Sequence, residues 1–491
     1  MPESLKTLSA KQTQSLDYIF RPRSVAIAGV SKAQPGFGGV SAGFLVACKE
    51  MGCENLYAVN PKYDEVEGVK CYPSLLDIEG PVDHVISSVP ARVVPQLVED
   101  AISKAVKVIH FFTAGFRETG EEEMAAMESQ VVARAKEAGI RVLGPNCMGL
   151  YVPGRGLSFM PGFSDEPGAV GFISQSGGNA GDMVFTSAVR GIRYSKVVSY
   201  GNAADIDESE LLDYLAEDPE TDVVCTYIEG VKDGRRFFEA MKKAAAAKPV
   251  IVLKGGRTEA GTRAVMSHTA SLAGSFEVFD ALCRQVNAVR VNGVEDMVDM
   301  AVAFRFGAVP KGPGVAVVGG GGGFSVFAAD EIDDAGLQCP VLPEHTQTAL
   351  REFTPVAGTS VRNPVDTIAL FQPPLLQKTL QIIGEAENID VVMFHTSFNW
   401  GNARRTMAMA QNIDPGAYMD SMVQQMTAAR DNSGTPIVVV LRPPLDMDGM
   451  EAASAFQEKC WRAGFPVFQT IPKAAASIAK AYGWRQARER A

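Results

Sequence analysis

The eight cysteines lie at positions 48, 53, 71, 147, 225, 283, 339 and 460, and no two stand at C-x-x-C spacing. That argues against a zinc site or a dithiol motif and for a reduced compartment. The chain also lacks an apolar run of the ~18 residues that a bilayer span requires. Its start, MPESLKTLSAKQTQ, is polar and has no apolar stretch of the secretory kind. A protein of the cytoplasm, away from membranes, is expected. Basic residues are the minority: 46 Lys and Arg stand against 57 Asp and Glu, for a net charge of −11. This disfavours nucleic acid as a partner, while a local basic pocket stays open. HExxH, a Ser-His-Asp order and a paired-carboxylate signature are missing, and no metal site is expected. What is present is ordinary core material, 46% hydrophobic and 21% charged over 491 residues. That length suits about three domains of roughly 150 residues each.

Short runs rich in Val and Ile alternate with longer stretches of helical period, the pattern of parallel sheets covered by helices on both faces. Runs at 24–31, 55–61, 83–90, 107–116 and 141–147 form a first block. Its strongest helix spans 120–139, with an acidic start that suits the positive end of the dipole and Gly139 as a C-cap. The Pro- and Gly-rich stretch 151–168 marks a first boundary. Runs at 168–177, 194–202, 223–230, 249–256 and 288–293 form a second block, and FGAVPKGPG (306–314) is a second linker. The third block opens with VAVVGGGGGF (315–324), continues at 363–368, 390–397 and 436–444, and closes in an Ala-rich helix near 472–485. The chain has no close internal repeat. The fold class expected is α/β, with three open, mostly parallel, doubly wound domains at 1–150, 151–308 and 309–491.

Glycine, with 47 copies, clusters after the apolar runs. Gly29-Val30-Ser31 ends the first strand and leads toward Gly36, Gly38 and Gly39, where small residues would let backbone N–H groups approach a phosphate. The next strand ends in Asn60-Pro61-Lys62 rather than the acidic residue usual for NAD. Lys62 suits a phosphorylated ribose, as in coenzyme A or NADP; a solvent lysine is the alternative. Ser88-Val89-Pro90 and Thr113-Ala114-Gly115 fall at strand ends, where such sheets bind ligands and where ordinary turns also occur. Two further glycine turns, Ser174-Gln175-Ser176-Gly177-Gly178 and Gly319 through Gly323, could each present N–H donors to an anion. Together they suggest an anion held between two helix ends, with a flexible loop as the plainer reading of the five-glycine run. Of the five histidines, His84, His110 and His395 lie within apolar strand runs, and His345 opens a helix. His268 lies in a long stretch of small residues near Arg257 and Arg263, which reads as a mobile loop. Its imidazole could attack phosphate there or simply sit on the surface. Cys147 reads as a packed small residue.

Taken together, Leu16 through Ser31, Gly144-Pro145-Asn146-Cys147, Met160-Pro161-Gly162, Ser174 through Gly177, Ile228-Glu229-Gly230, Ser267-His268-Thr269-Ala270 through Gly274 and Asn363-Pro364-Val365-Asp366 resemble the nucleoside-diphosphate-forming acyl-CoA synthetases. These are the relatives of succinyl-CoA synthetase and ADP-forming acetyl-CoA synthetase. The resemblance runs over nearly the whole chain. It implies a Rossmann-like CoA-binding domain followed by two flavodoxin-like ligase domains, the content of an α subunit. It also implies a reaction in which a small carboxylic acid becomes an acyl phosphate and then a thioester, with phosphate relayed through a histidine. His268 resembles the phosphate carrier and Glu229 the glutamate that orients it. Ser174, Ser176, Gly177, Gly178 and Gly320, Gly321, Gly322, Gly323 resemble the phosphoryl-holding turns. Gly29, Ser31, Lys62, Pro90, Thr113, Gly115 and Asn146 fall where the family binds CoA. ATP or ADP with Mg would sit on a separate ATP-grasp β-type subunit, making a hetero-oligomer, because no stretch of about 200 residues is left for that module. Two departures stand out. Ala270 replaces the more usual glycine, and the third-block turn is all glycine where the family usually has Asn or Ala. A non-catalytic CoA-responsive protein and an NADP oxidoreductase are the competing classes.

Overall fold

The computed structural model describes residues 16–32, 39–269, 274–367, 370, 373–398, 414–444 and 447–490. By its contacts the chain divides into two compact units, Met1–Ala188 with Arg193–Met297, and Val189–Ile192 with Val298–Ala491. The first unit holds two sheets and the second unit one.

The first sheet consists of β1 (Val25–Ala28), β2 (Leu56–Val59), β3 (Glu65–Val66), β4 (Val69–Tyr72), β5 (His84–Ser87), β6 (Val108–Phe111) and β7 (Arg141–Leu143), in the order β3-β4-β2-β1-β5-β6-β7. All pairs are parallel except the β3–β4 hairpin. Its turn residues Glu67 and Gly68 both have positive φ, 49° and 73°, as a two-residue hairpin turn demands. With β4 as the third strand, this is the 3-2-1-4-5-6 order of dinucleotide-binding sheets, whose direction of winding reverses between β1 and β5. Ala28 pairs with Ser87 and Ser87 with Phe111, so the carboxyl ends of three strands finish level. The helix Val40–Glu50 follows β1, and the helix expected at 120–139 spans Glu122–Glu137.

The second sheet consists of β8 (Gly149–Tyr151), β9 (Val170–Ser174), β10 (Tyr194–Ser199), β11 (Val223–Ile228), β12 (Val250–Lys254) and β13 (Val289–Val291), in the order β13-β12-β11-β9-β10-β8. The third consists of β14 (Val315–Gly319), β15 (Ser360–Val361), β16 (Val365–Asp366), β17 (Val391–Ser397), β18 (Ile437–Arg442) and β19 (Val467–Phe468), in the order β15-β16-β14-β17-β18-β19. In each, five parallel strands follow the 2-1-3-4-5 flavodoxin-like order, and one antiparallel strand, β8 or β15, is added at the edge. The expected α/β class with three mostly parallel sheets is what the chain adopts. β9, β12 and β14 are buried along their whole length, as strands covered on both faces must be.

Within the first unit the two sheets are joined by buried charge. Arg141, on β7, donates to Asp205 at 2.8 Å and to Glu210 at 2.7 Å, and the two carboxylates are 2% and 6% exposed. Lys136 adds 2.9 Å to Asp205, which also accepts the Val142 amide at 2.9 Å. Asn202 donates to Glu118 and Glu128 at 2.6 and 3.1 Å. Burial pushes the Asp205 pKa up, but Arg141 and Lys136 outweigh it and hold it below the ordinary range.

One expectation is corrected. The stretch read as a long loop is an α-helix, Glu259–Thr269. Thr258 caps it: its side chain accepts from Gly261 N at 3.1 Å and its carbonyl from Thr262 N at 2.7 Å. Glu259 in the first turn suits the dipole, and the residues that follow include ready helix formers.

Candidate functional site

The carboxyl edge of the first sheet collects the residues expected to bind a nucleotide. Gly29 follows β1 at φ 85°, and a Cβ there would stand 2.8 Å from both Val89 N and Val89 Cγ1. Only glycine allows that approach between the β1 and β5 turns. Ser31 donates its amide to Ser41 Oγ at 3.1 Å, which ties the turn to the helix Val40–Glu50. Asn60 spans the edge: its side chain donates to Val30 O at 2.7 Å and accepts the Lys62 amide at 3.0 Å. Lys62 is exposed at the end of β2, and Pro90 is exposed after β5. Thr113 is buried and its hydroxyl donates to Val89 O at 2.8 Å. Asn146, at φ 57°, gives its amide to Thr113 O at 3.1 Å. Gly115 has φ 96°, and its amide is already held by Glu118 Oε1 at 2.6 Å. All seven expected residues therefore stand on one edge, with one amide engaged by a carboxylate.

In the second sheet, β9 runs into the helix Gly177–Ala188 through the Ser-Gln-Ser-Gly turn. Ser174 Oγ accepts the Ser176 amide at 3.2 Å and donates to Ser176 O at 2.6 Å, so the turn is closed on itself. Ser176 Oγ accepts the Asn179 amide at 3.4 Å, which leaves Gly177 and Gly178 at the open end of the helix. Beside it Glu229 follows β11. Gln175 Oε1 accepts the Glu229 and Gly230 amides at 2.8 and 3.0 Å, fixing one turn against the other. Glu229 is 4% exposed. Its Oε1 accepts the Tyr227 hydroxyl at 3.1 Å, while its Oε2 is buried and has no partner among the described residues. Burial, helped by Glu229, keeps the Tyr227 hydroxyl protonated. Lys254 is buried at the end of β12 and donates to Glu229 O at 2.7 Å; burial lowers its pKa and Glu229 opposes the shift. Gly255 is required here too, since a Cβ would lie 2.7 Å from the Tyr227 hydroxyl. His268 is on the backbone of the helix Glu259–Thr269, and its side chain and Ala270 lie outside the described residues. Backbone atoms of that helix come within 8 Å of the turn Arg117–Thr119 on the first sheet.

In the second unit, β14 leads through Gly320 and Gly321 into the helix Gly322–Asp334. Gly321, at φ 110°, has its amide held by Asp366 Oδ1 at 3.0 Å. Gly319 faces His395, where a Cβ would fall 2.0 Å from Nε2. His84 and His110 are core residues whose pKa burial lowers to about 3 and about 4. Cys147 is buried and its thiol pushed up by burial, as a packed residue should be. The supporting roles of Gln175, Tyr227, Lys254 and Asn60 escaped the sequence reading. Gln175, Lys254 and Asn60 work through contacts to the end of a neighbouring strand, which spacing along one strand does not reveal, whereas Tyr227 reaches Glu229 two residues along its own strand.

Residues 23–153 match the family described as CoA binding domain, and residues 167–304 match the succinyl-CoA ligase like flavodoxin domain. The α subunit of acetate–CoA ligase [ADP-forming] II from Pyrococcus furiosus is 40% identical over 77% of this chain and 81% of its own length. Its counterpart, the α subunit of acetate–CoA ligase [ADP-forming] I from the same organism, is 39% identical over 72% of this chain and 76% of its own. Against the acetate–CoA ligase [ADP-forming] I of Archaeoglobus fulgidus, 38% identical, the chain spans only about half, 54%, of the relative's length. Among solved structures, the dinucleotide forming acetyl-coenzyme A synthetase 1 of Ca. Korarchaeum cryptofilum, in complex with phosphate and ADP, superposes with a TM-score of 0.80 at 28% identity. It covers 96% of this chain and 97% of that one. These likenesses favour a ligase over an NADP oxidoreductase or a non-catalytic binding protein. The chain belongs to the family of ADP-forming acyl-CoA ligases and is of their α-subunit type.

Proposed function

We propose that this chain is the CoA-binding, phosphohistidine-bearing partner in a hetero-oligomeric ligase that joins a small carboxylic acid to CoA at the expense of ATP. The chain would work as three domains, 1–150, 151–308 and 309–491, in the cytoplasm. Among the described residues, no helix is long and apolar enough to cross a membrane. CoA would lie along the first sheet's carboxyl edge, over Gly29, Ser31, Pro90, Thr113, Gly115 and Asn146, with Lys62 toward the ribose phosphate. The close approach at Gly29 supports this, because a side chain would fill the cradle. Glu118 would have to share or yield the Gly115 amide.

His268 would carry the phosphoryl group between acyl phosphate and nucleotide. The turns Ser174–Gly178 and Gly320–Gly323 would hold it through backbone donors, and Glu229 would take the imidazole's other N–H. An ATP-grasp β-type subunit would supply the Mg-nucleotide. The observation that carries this reading is Glu229 Oε2, a buried carboxylate oxygen without a partner among the described residues. Leaving such an atom unpaired costs stability, and an imidazole N–H would satisfy it while making the ring more nucleophilic. Tyr227 holds the other oxygen and so aims the free one. The test uses labelled ATP with the chain and its co-purifying ATP-grasp protein. Acid-labile, base-stable label should appear on this chain, vanish in His268→Ala and fall in Glu229→Gln. Undiminished label in His268→Ala would overturn the assignment.

A further inference from the structure

β12 ends in a lysine that has no part in the phosphoryl relay proposed above. Lys254 is 6% exposed and stands in register with Ile228 of β11. An ammonium has three donors. Lys254 Nζ gives one to Glu229 O, at 2.7 Å, and another to Gly255 O, the carbonyl of the next residue. The Phe279 ring covers it, with its centre 5.7 Å away. Burial works against the lysine's charge, and Glu229 is the neighbouring charge that favours it.

The two carbonyls belong to two halves of the candidate site. Glu229 O lies on the turn after β11. The amide of the same residue is held by Gln175 Oε1 at 2.8 Å, and its Oε1 accepts the Tyr227 hydroxyl at 3.1 Å. Gly255 O lies at the root of the helix Glu259–Thr269. Thr262 donates its hydroxyl to Gly256 O at 3.0 Å, which seats the first helical turn on that root. Gly255 also lies against the glutamate itself, since a Cβ there would stand 3.3 Å from Glu229 Cγ. Gln175 and Tyr227 hold Glu229 to its own sheet, whereas Lys254 ties it to the start of the helix.

We propose that Lys254 is a positioning residue of phosphotransfer: its ammonium fixes the Glu229 turn to the root of the helix that carries His268, and so sets where the carboxylate stands relative to that helix. This rests on the phosphohistidine reading above. A misplacement of about 1 Å can cost ~100-fold in rate, so the loss of this tie should be felt in the chemical step. Lys248, at the other end of β12, is the contrast. It donates to Leu215 O and Asp218 O at 2.6 and 2.5 Å, and neither carbonyl belongs to the site.

The test gives labelled ATP to the full chain with its co-purifying ATP-grasp protein and follows labelling of this chain by rapid quench. Lys254→Met, of similar length but without donors, should slow labelling about tenfold or more. The loss should fall on the maximal rate, with the ATP concentration for half-maximal labelling changed less than about twofold. Lys254→Gln, one atom shorter and neutral, should slow labelling about fivefold or more, and it serves if circular dichroism shows the methionine variant to be unfolded. Lys248→Met also strips two carbonyls of their donor. It should lower the urea midpoint yet keep the labelling rate within about twofold. In a Glu229→Gln chain, adding Lys254→Met should slow labelling by less than about twofold more, because the lysine acts through the carboxylate. A wild-type rate in the folded Lys254 variants, an equal loss in Lys248→Met, or an undiminished further loss in the Glu229→Gln chain would overturn the proposal, while label that vanishes in His268→Ala would still uphold the phosphohistidine reading. No label on the wild-type chain would overturn both.

Discussion

Glu208 gives a pH-dependent stability that can be worked from its surroundings. It opens the helix Glu208–Glu217 immediately after the capping residue Asp207, and it is 3% exposed. Burial is the main cause of a pKa raised from 4.5 to about 7; Asp207 adds to the shift, and its own backbone amide, Lys232 and Arg236 pull against it. The folded chain thus holds this proton more tightly than the unfolded chain does. Between pH 4.5 and 7 the unfolded state binds fewer protons, so stability falls as pH rises through that window. At about 1.4 kcal/mol per tenfold, the full loss above pH 7 is about 3 kcal/mol. Glu208→Gln keeps a neutral side chain at every pH. It should match wild type within about 1 kcal/mol at pH 5 and exceed it by about 3 kcal/mol at pH 8.5. The readout is native-state hydrogen exchange of peptides covering 208–217, corrected for the intrinsic effect of pH on exchange. An equal difference between the two proteins at both pH values would refute the argument.

If Lys62 reads the ribose phosphate, Lys62→Ala should weaken CoA binding about two- to fivefold, as an exposed charge contact does. Dephospho-CoA, which lacks that phosphate, should bind almost as before; an equal loss for both ligands would show that Lys62 reads something else. Asp205→Ala leaves Arg141 and Lys136 without their shared buried carboxylate and should cost about 3 kcal/mol, seen as a lower urea midpoint for the first unit. Asp205→Asn, which retains an acceptor for the Val142 amide, should lose less.

Strands buried on both faces announce themselves in sequence. Val25–Ala28, Val250–Lys254 and Val315–Gly319 are unbroken or nearly unbroken apolar runs because helices cover both sides of them. The strands that went unread lie at a sheet edge or next to one: Glu65–Val66, Val69–Tyr72, Gly149–Tyr151, Ser360–Val361 and Val467–Phe468. Runs of two to four residues carry little periodicity. Only the Glu67-Gly68 pair between the first two held a usable hairpin signal. The helix around His268 was misread because Gly261, three alanine or threonine neighbours and the motif's small residues resemble loop composition, while the deciding feature is the Thr258 cap. At the site, the glycine turns and Glu229 were legible as motifs. The support of Glu229 was not, because Gln175 reaches it across 54 residues of chain.

The Pro- and Gly-rich stretch between β8 and β9 looks like a place where a gene could be broken or a module exchanged. The contacts around Arg141 argue otherwise. A cut there would strand Arg141 on one product and Asp205 and Glu210 on the other, and would part Asn202 from Glu118 and Glu128. Each fragment would inherit buried charges with nothing to neutralise them, and each would be drawn to aggregate or be degraded. The nucleotide-type sheet and its neighbour are therefore bound to one hereditary fate: drift at Arg141 must be answered at Asp205, and recombination that brings in one sheet from a distant relative should fail unless its seam comes along.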